Sequence, residues 1–175
     1  MTEIRFLGPA DLPALSDLFG RLPDGELAFF KEDVRDPQVV QALVDDGGSR
    51  RLAAIENGRI VGYAAILPRL GWSSHVGEVR LAVDAEHRRR GVGRLLARGA
   101  LLAALDLGLK KLVVEVMADQ VPAVTMFQSL GFTGEALLCD HVRIDGELRD
   151  LLVLAHHVEE AWAEMSQAGL EEGFT

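Results

Sequence analysis

The chain has 175 residues, 49% of them hydrophobic and 26% charged, the proportions of a folded globular protein with a core of its own. With 18 basic and 27 acidic residues its net charge is -9, which argues against non-specific nucleic-acid binding and mildly favours cationic partners such as amines. The single cysteine, Cys139, excludes an internal disulfide and fits a reducing, cytoplasmic setting.

No apolar run opens the chain, so no signal peptide is expected. The most apolar stretch, Leu95 to Leu109, is broken by Arg98 and Asp106 and is too short for a membrane span. Ile4 to Leu7 reads as a strand. A helix follows from Pro9 to about Arg21, with Leu12, Leu15, Leu18 and Phe19 on one face. Glu26 to Phe30 suggests a helical turn, in which Phe29 and Phe30 line a pocket or pack in the core. Asp36-Pro37 caps a second helix to about Asp45. Arg51–Glu56 and Arg59–Leu67 form a hairpin about Asn57-Gly58, because that dipeptide accepts the positive φ angles of the turn. Glu78 to Val83 alternates and is a further strand.

A turn then carries Arg88, Arg89, Arg90, Gly91, Val92 and Gly93 into a helix whose apolar face is expected at Leu95, Gly99, Leu102 and Ala103. Gly108 ends that helix, and Lys111–Val116 is a buried strand. Asp119 is expected to cap the next helix, with Pro122 in its first turn and Gly131 closing it. Phe132–Ile144 and Leu148–Ala155 are the last strands, joined at Asp145-Gly146. Trp162–Gln167 reads as a terminal helix before a loose tail. The organisation is one domain over 1–158 followed by a C-terminal helix and tail over 159–175.

A glycine-bearing turn that opens a helix presents unpaired backbone N–H groups and the positive end of the helix dipole, so it suits an anion such as phosphate. The Rossmann pattern fails at Leu96, and no Gly-Lys-Ser/Thr is present. Arg88-x-x-Gly91-x-Gly93 instead resembles the acyl-CoA pyrophosphate loop of the GNAT N-acetyltransferase superfamily. Two further features agree. The Glu78–Val83 strand runs straight into the turn. The segment Gln120-x-x-Ala123-x-x-x-Phe127-x-x-x-Gly131-Phe132 resembles the family's Asn-x-x-Ala-x-x-x-Tyr-x-x-x-Gly-Phe, with Gln120 and Phe127 as departures.

The resemblance implies an α/β (α+β) GNAT acyl-CoA N-acyltransferase fold: a central mixed, mostly antiparallel sheet flanked by helices, with the fourth and fifth strands parallel and splayed. It implies an enzyme that uses acetyl-CoA as co-substrate and transfers the acetyl group directly to a primary amine. The alternatives are another acyl-CoA, or a module that senses acyl-CoA without turnover. Pantetheine would pair with Leu81, Ala82 and Val83. The pyrophosphate would lie on the turn from Arg88 through Arg89, Arg90, Gly91, Val92 and Gly93 to Arg94. Gln120 and Phe127 would border the CoA arm.

A lysine-like amine has a pKa of about 10.4, so a positioned base is useful. Glu78 stands where the resemblance puts a catalytic glutamate; as a plain strand residue it would pair with Arg80 or Arg59. Phe127 lacks the hydroxyl that the family tyrosine would use to protonate the CoA thiolate, which leaves water or Tyr63. His156 and His157 are adjacent, and Cys139 and His141 are only a pair, so no metal is expected. Trp72 to His75 could shape the acceptor pocket or form an ordinary loop. The resemblance also implies a homodimer through the C-terminal strands, where Leu151–Leu154 is an apolar run.

Overall fold

The computed structural model describes residues 1–27 and 30–158. The expected helix at Trp162–Gln167, the tail and Phe29 lie outside the described residues.

Seven strands form one sheet in the order β1-β2-β3-β4-β5-β7-β6. They are β1 (Glu3–Phe6), β2 (Arg50–Glu56), β3 (Arg59–Pro68), β4 (Val76–Val83), β5 (Lys111–Met117), β6 (Thr133–Ile144) and β7 (Glu147–His157). Every neighbouring pair is antiparallel except β4 and β5, which run parallel. The helices are α1 (Leu12–Arg21), α2 (Asp24–Leu27), α3 (Pro37–Asp45), α4 (Val92–Asp106) and α5 (Val121–Gln128). This is the mixed, mostly antiparallel arrangement expected from the sequence, with the helical turn expected at Glu26–Phe30 beginning two residues earlier, as α2.

Local chemistry accounts for most boundaries. Asn57 and Gly58 have φ of 51° and 75°, and Asp145 and Gly146 have 52° and 83°, so both hairpins turn where their residues tolerate positive φ. Asp36 caps α3, its carboxylate accepting from the Gln38 amide at 2.8 Å. Asp119 does not cap α5. The N-cap is Gln120, without a side-chain bond, and the Asp119 carboxylate accepts from Arg149 at 2.9 Å instead. An ion pair with the β6–β7 hairpin has displaced the local cap.

Two cores sandwich the sheet. Leu15, Leu18, Phe19 and Val40 pack with Phe30 and Tyr63 on one face. α4 covers the other face through Val92, Leu96, Ala97, Ala100 and Ala103, joined by Phe127 and Phe132. Of the expected α4 stripe, Gly99 and Ala103 are buried, but Leu96 and Leu101 are buried where Leu95 and Leu102 were expected. Its buried side consists largely of alanines, and small residues allow close approach to the sheet. At Gly62 of β3 a Cβ would lie 2.8 Å from Leu96 Cδ1. That contact seats the start of α4 directly over the sheet.

β6 is the outermost strand and is exposed along nearly all its length. Its ladder to β7 breaks between Leu138 and Val142, where Asp140 has φ of 51°. β7 is paired on both sides, and Leu151 and Leu154 are buried. The Leu151–Leu154 run is therefore interior, not an edge; at this end of the sheet the edge strand among the described residues is β6, as β1 is at the other.

Leu96 is fully buried beneath α4. Leu96→Ala should cost about 2–5 kcal/mol of stability. Urea unfolding followed by circular dichroism measures it, as a lower midpoint at unchanged slope.

Candidate active site

The site begins where β4 and β5 part. Their ladder covers only Val76–Val79 against Lys111–Val114. On its other side β4 stays paired to β3 through Val83. From Arg80 to Val83 the β4 edge thus has no strand partner on the side of Glu115, Val116 and Met117, and such an edge offers backbone groups to an extended ligand, save the Val83 carbonyl, which accepts from Arg88.

This edge leads into the turn before α4. Gly91 is the N-cap, at φ 88°, a conformation that glycine adopts without the Cβ penalty. The first helical bond is from the Leu95 amide to the Gly91 carbonyl, 3.0 Å, so the Val92, Gly93 and Arg94 amides have no partner within the helix. Unpaired amides with the positive end of a helix dipole make an anion cradle. A Cβ on Gly93 would sit 3.3 Å from Met126 Sδ, which places α5 against the same turn.

Three of the arginine side chains in this turn are paired within the chain. Arg88 donates to the Val83 carbonyl at 3.0 Å and to Glu26 at 2.6 Å. Arg90 lies 3.7 Å from Glu56, and Arg94 donates to Ser129 Oγ at 2.9 Å. Arg89 holds the turn at φ 57°. Charge here fastens the turn to α2, β2 and α5, and the cradle itself is backbone.

Glu78 stands beside the end of the parallel ladder. Its Oε1 accepts from Arg80 Nε at 2.9 Å and from Lys31 Nζ at 3.0 Å; no described residue donates to Oε2. Burial pushes its carboxyl upward, but the hydrogen bonds and charges of Arg80 and Lys31 outweigh this and hold it below the usual glutamate value. Glu78 is therefore ionised at neutral pH. Its partner is Arg80 and not Arg59, whose nearest carboxylate is Asp17 at 3.9 Å.

Lys31 and Glu115 complete this cluster. Lys31 Nζ also lies 3.1 Å from Glu115 of β5, and Arg80 pairs with Glu32 and donates to the Phe30 carbonyl. Phe30, Lys31 and Glu32 therefore lie at the mouth of the strand split, held there by ion pairs and a hydrogen bond. Nothing local in the sequence couples Lys31 or Glu32 to this site. Only Glu115 left a signal, as a lone acid inside the apolar run Leu112–Val116.

Three expected positions fall elsewhere. Phe127 is buried, its ring edge-on to Phe132 with centroids 5.1 Å apart; it is a core residue. Tyr63 is buried on the opposite core face between Phe19 and Phe30, and its hydroxyl accepts from Arg51 at 3.2 Å. Burial raises its pKa, and it is enclosed away from solvent, so it is no proton donor to a ligand in the cleft. Trp72 is fully exposed on a 3-10 turn, Gly71–Ser73.

The profile of the acetyltransferase (GNAT) family matches residues 15–132, more than half of the chain. The chain belongs to this family. Among GNAT relatives it is 28% identical over 153 residues to streptothricin acetyltransferase of Streptomyces lavendulae, covering 74% of this chain and 80% of that one. It is 28% identical over 111 residues to human N-acetyltransferase 8, spanning 61% of this chain but about half, 49%, of the relative's length. The structure of yncA from Salmonella typhimurium, solved with its cofactor acetyl-CoA, superposes with a TM-score of 0.78 at 22% identity, over 91% of this chain and 95% of that one. Among the described residues no helix is long and apolar enough to cross a membrane, and no group of three or more His, Cys, Asp or Glu side chains could hold a metal ion.

If the backbone turn is the anion cradle, Gly91→Glu should weaken acetyl-CoA binding at least about tenfold. It forces a side chain into left-handed backbone, at about 1–2 kcal/mol, and sets a like charge beside the diphosphate. Calorimetry measures the affinity, and circular dichroism checks that the fold is retained.

Proposed function

We propose that this GNAT protein is an acetyl-CoA-dependent N-acetyltransferase that acts on a primary amine by direct transfer. One observation carries the reading: the β4 edge from Arg80 to Val83 is unpaired on the β5 side, leads through a single 3-10 turn, Ala85–His87, to the amide-lined start of α4, and has an ionised glutamate at its beginning. An extended thioester cofactor with a diphosphate at one end matches that sequence of groups. The family match and the streptothricin relative support acetyl transfer as the chemistry.

In this reading the Leu81, Ala82 and Val83 backbone pairs with the pantetheine amides, and one N–H of this edge donates to the thioester carbonyl as it gains charge. The amides from Arg89 to Arg94 hold the diphosphate. Gln120, at the head of α5, contributes a side-chain amide to the same arm. The amine nitrogen bonds to the acetyl carbon, the carbon–sulfur bond breaks, and the amine gives up one proton. Glu78 Oε2 is the oxygen free to take that proton, directly or through water. The thiolate is then protonated from solvent: Phe127 and Tyr63 are both buried, and a thiol pKa near 8.5 makes thiolate a tolerable leaving group.

We read the protein as cytoplasmic, from its lone exposed Cys139, and as a homodimer. The exposed β6 edge supports the dimer. Light scattering at micromolar concentration should give twice the 19.0 kDa chain mass; a monomer mass counts against it.

Glu78→Gln should lower kcat at least about tenfold at pH 7, since base catalysis contributes typically 10²–10⁴-fold. The Glu78 carboxyl titrates below the ordinary value, so it is already ionised where activity is measured. The rise of rate with pH then belongs to the amine, and the deficit of the variant should narrow at high pH. Full activity of the variant at every pH would reduce Glu78 to an ion-pair partner. CoA release with a panel of amines is the direct assay, and bound acetyl-CoA without release would indicate a sensor. Phe127→Tyr should not raise the rate. Its hydroxyl enters the core without a partner and should lower stability by about 1–3 kcal/mol.

A further inference from the structure

Lys31 is a primary alkylamine, and its ammonium sits between carboxylates contributed by the two strands that part. Nζ is 3.0 Å from Glu78 Oε1 on β4 and 3.1 Å from Glu115 Oε2 on β5. The residue holding it there has φ of 62°, a left-handed conformation that a non-glycine residue adopts at a cost. Its side chain is 45% exposed, whereas those of Glu78 and Glu115 are 15% and 26% exposed. The carboxylates are therefore fixed in the mouth of the split, and the ammonium reaches them from outside. Arg80 does not compete for this role, being committed to Glu32, the Phe30 carbonyl and Glu78.

We propose that Lys31 is a tethered stand-in for the acceptor: the acceptor's ammonium displaces it, and Glu115 joins Glu78 as the second acceptor-binding carboxylate. This deepens the acetyl-transfer reading and rests on it. The charge pattern gives the acceptor class. With Lys31 swung away, Glu78 and Glu115 are two anions, and Arg80 is largely neutralised by Glu32. An unbranched alkylammonium fits that field, a second ammonium on the same molecule improves the fit, and a carboxylate on the acceptor opposes it. Lys31 also sets a threshold, since apparent affinity falls by the fraction of molecules in which the site is vacated.

The test is equilibrium binding of 1,4-diaminobutane and of 4-aminobutanoate, which share a four-carbon scale and differ in the charge of the far group. Calorimetry is run on the full chain, on Lys31→Met, which keeps the apolar stem, on Lys31→Gly, which also relieves the backbone, and on Glu115→Gln. Both Lys31 variants should bind the diamine about tenfold more tightly, the gain expected if Lys31 fills the site nine times in ten. Glu115→Gln should bind it several-fold more weakly. The unaltered protein should prefer the diamine to 4-aminobutanoate, and acetyl-CoA affinity should be the same in all four proteins. The proposal is overturned if removing Lys31 leaves diamine affinity unchanged or lower. It is equally overturned if removing Lys31 selectively weakens 4-aminobutanoate, for the lysine would then hold an acceptor carboxylate. Because the readout is binding, a failure of transfer is separate: acetyl-CoA and diamine both bound, with no CoA released, would sink the acetyl-transfer reading and leave this result standing.

Discussion

The site depends on a ladder that stops. β4 and β5 share four residue pairs, and then each continues without the other. Breaking a sheet in its middle leaves polar backbone groups unmet, and such groups are costly unless something else satisfies them. On the outer sides the two strands remain secured, β4 by β3 and β5 by β7. The gap is thus held open by a rigid frame, and its edges await hydrogen-bond partners. A ligand that brings amides and carbonyls to that edge replaces the bonds the sheet gave up.

Everything near the gap serves to keep it in register with the anion turn. Close contact at Gly62 presses the start of α4 onto the sheet, and the Arg88 bonds to Val83 and Glu26 tie the turn both to the end of β4 and to α2. On the opposite face, Tyr63, Phe19 and Phe30 form an edge-on and tilted aromatic group that anchors the segment carrying Lys31. The two halves of the site, amide-lined at one end and carboxylate-lined at the other, are therefore mounted on one strand, β4.

What could be read in the sequence was whatever the backbone decides locally. Asn57-Gly58, Gly91, Gly108, Gly131 and Asp145-Gly146 all take positive φ, and each had marked a turn or a helix end in advance. The anion turn was legible for the same reason. Glu78 was found only by resemblance, and its environment was out of reach: Lys31 lies 47 residues earlier in the chain, and no local pattern couples the two. Asp119 shows the opposite failure. Its residue type was right for a cap, but Arg149, 30 residues on, won the carboxylate. On α4 the expected Gly99 and Ala103 are buried, but Leu96 and Leu101 take the places of Leu95 and Leu102, since leucines stand on both sides of the stripe and only the sheet decides which pair it covers.

The outer strand bears on how this molecule meets others of its kind. A long free edge is a template on which any extended chain can grow, with the same hydrogen bonds that make amyloid. Here the template is interrupted. The break between Leu138 and Val142, with Asp140 in left-handed backbone, divides β6 into two short runs that cannot be extended by a straight strand.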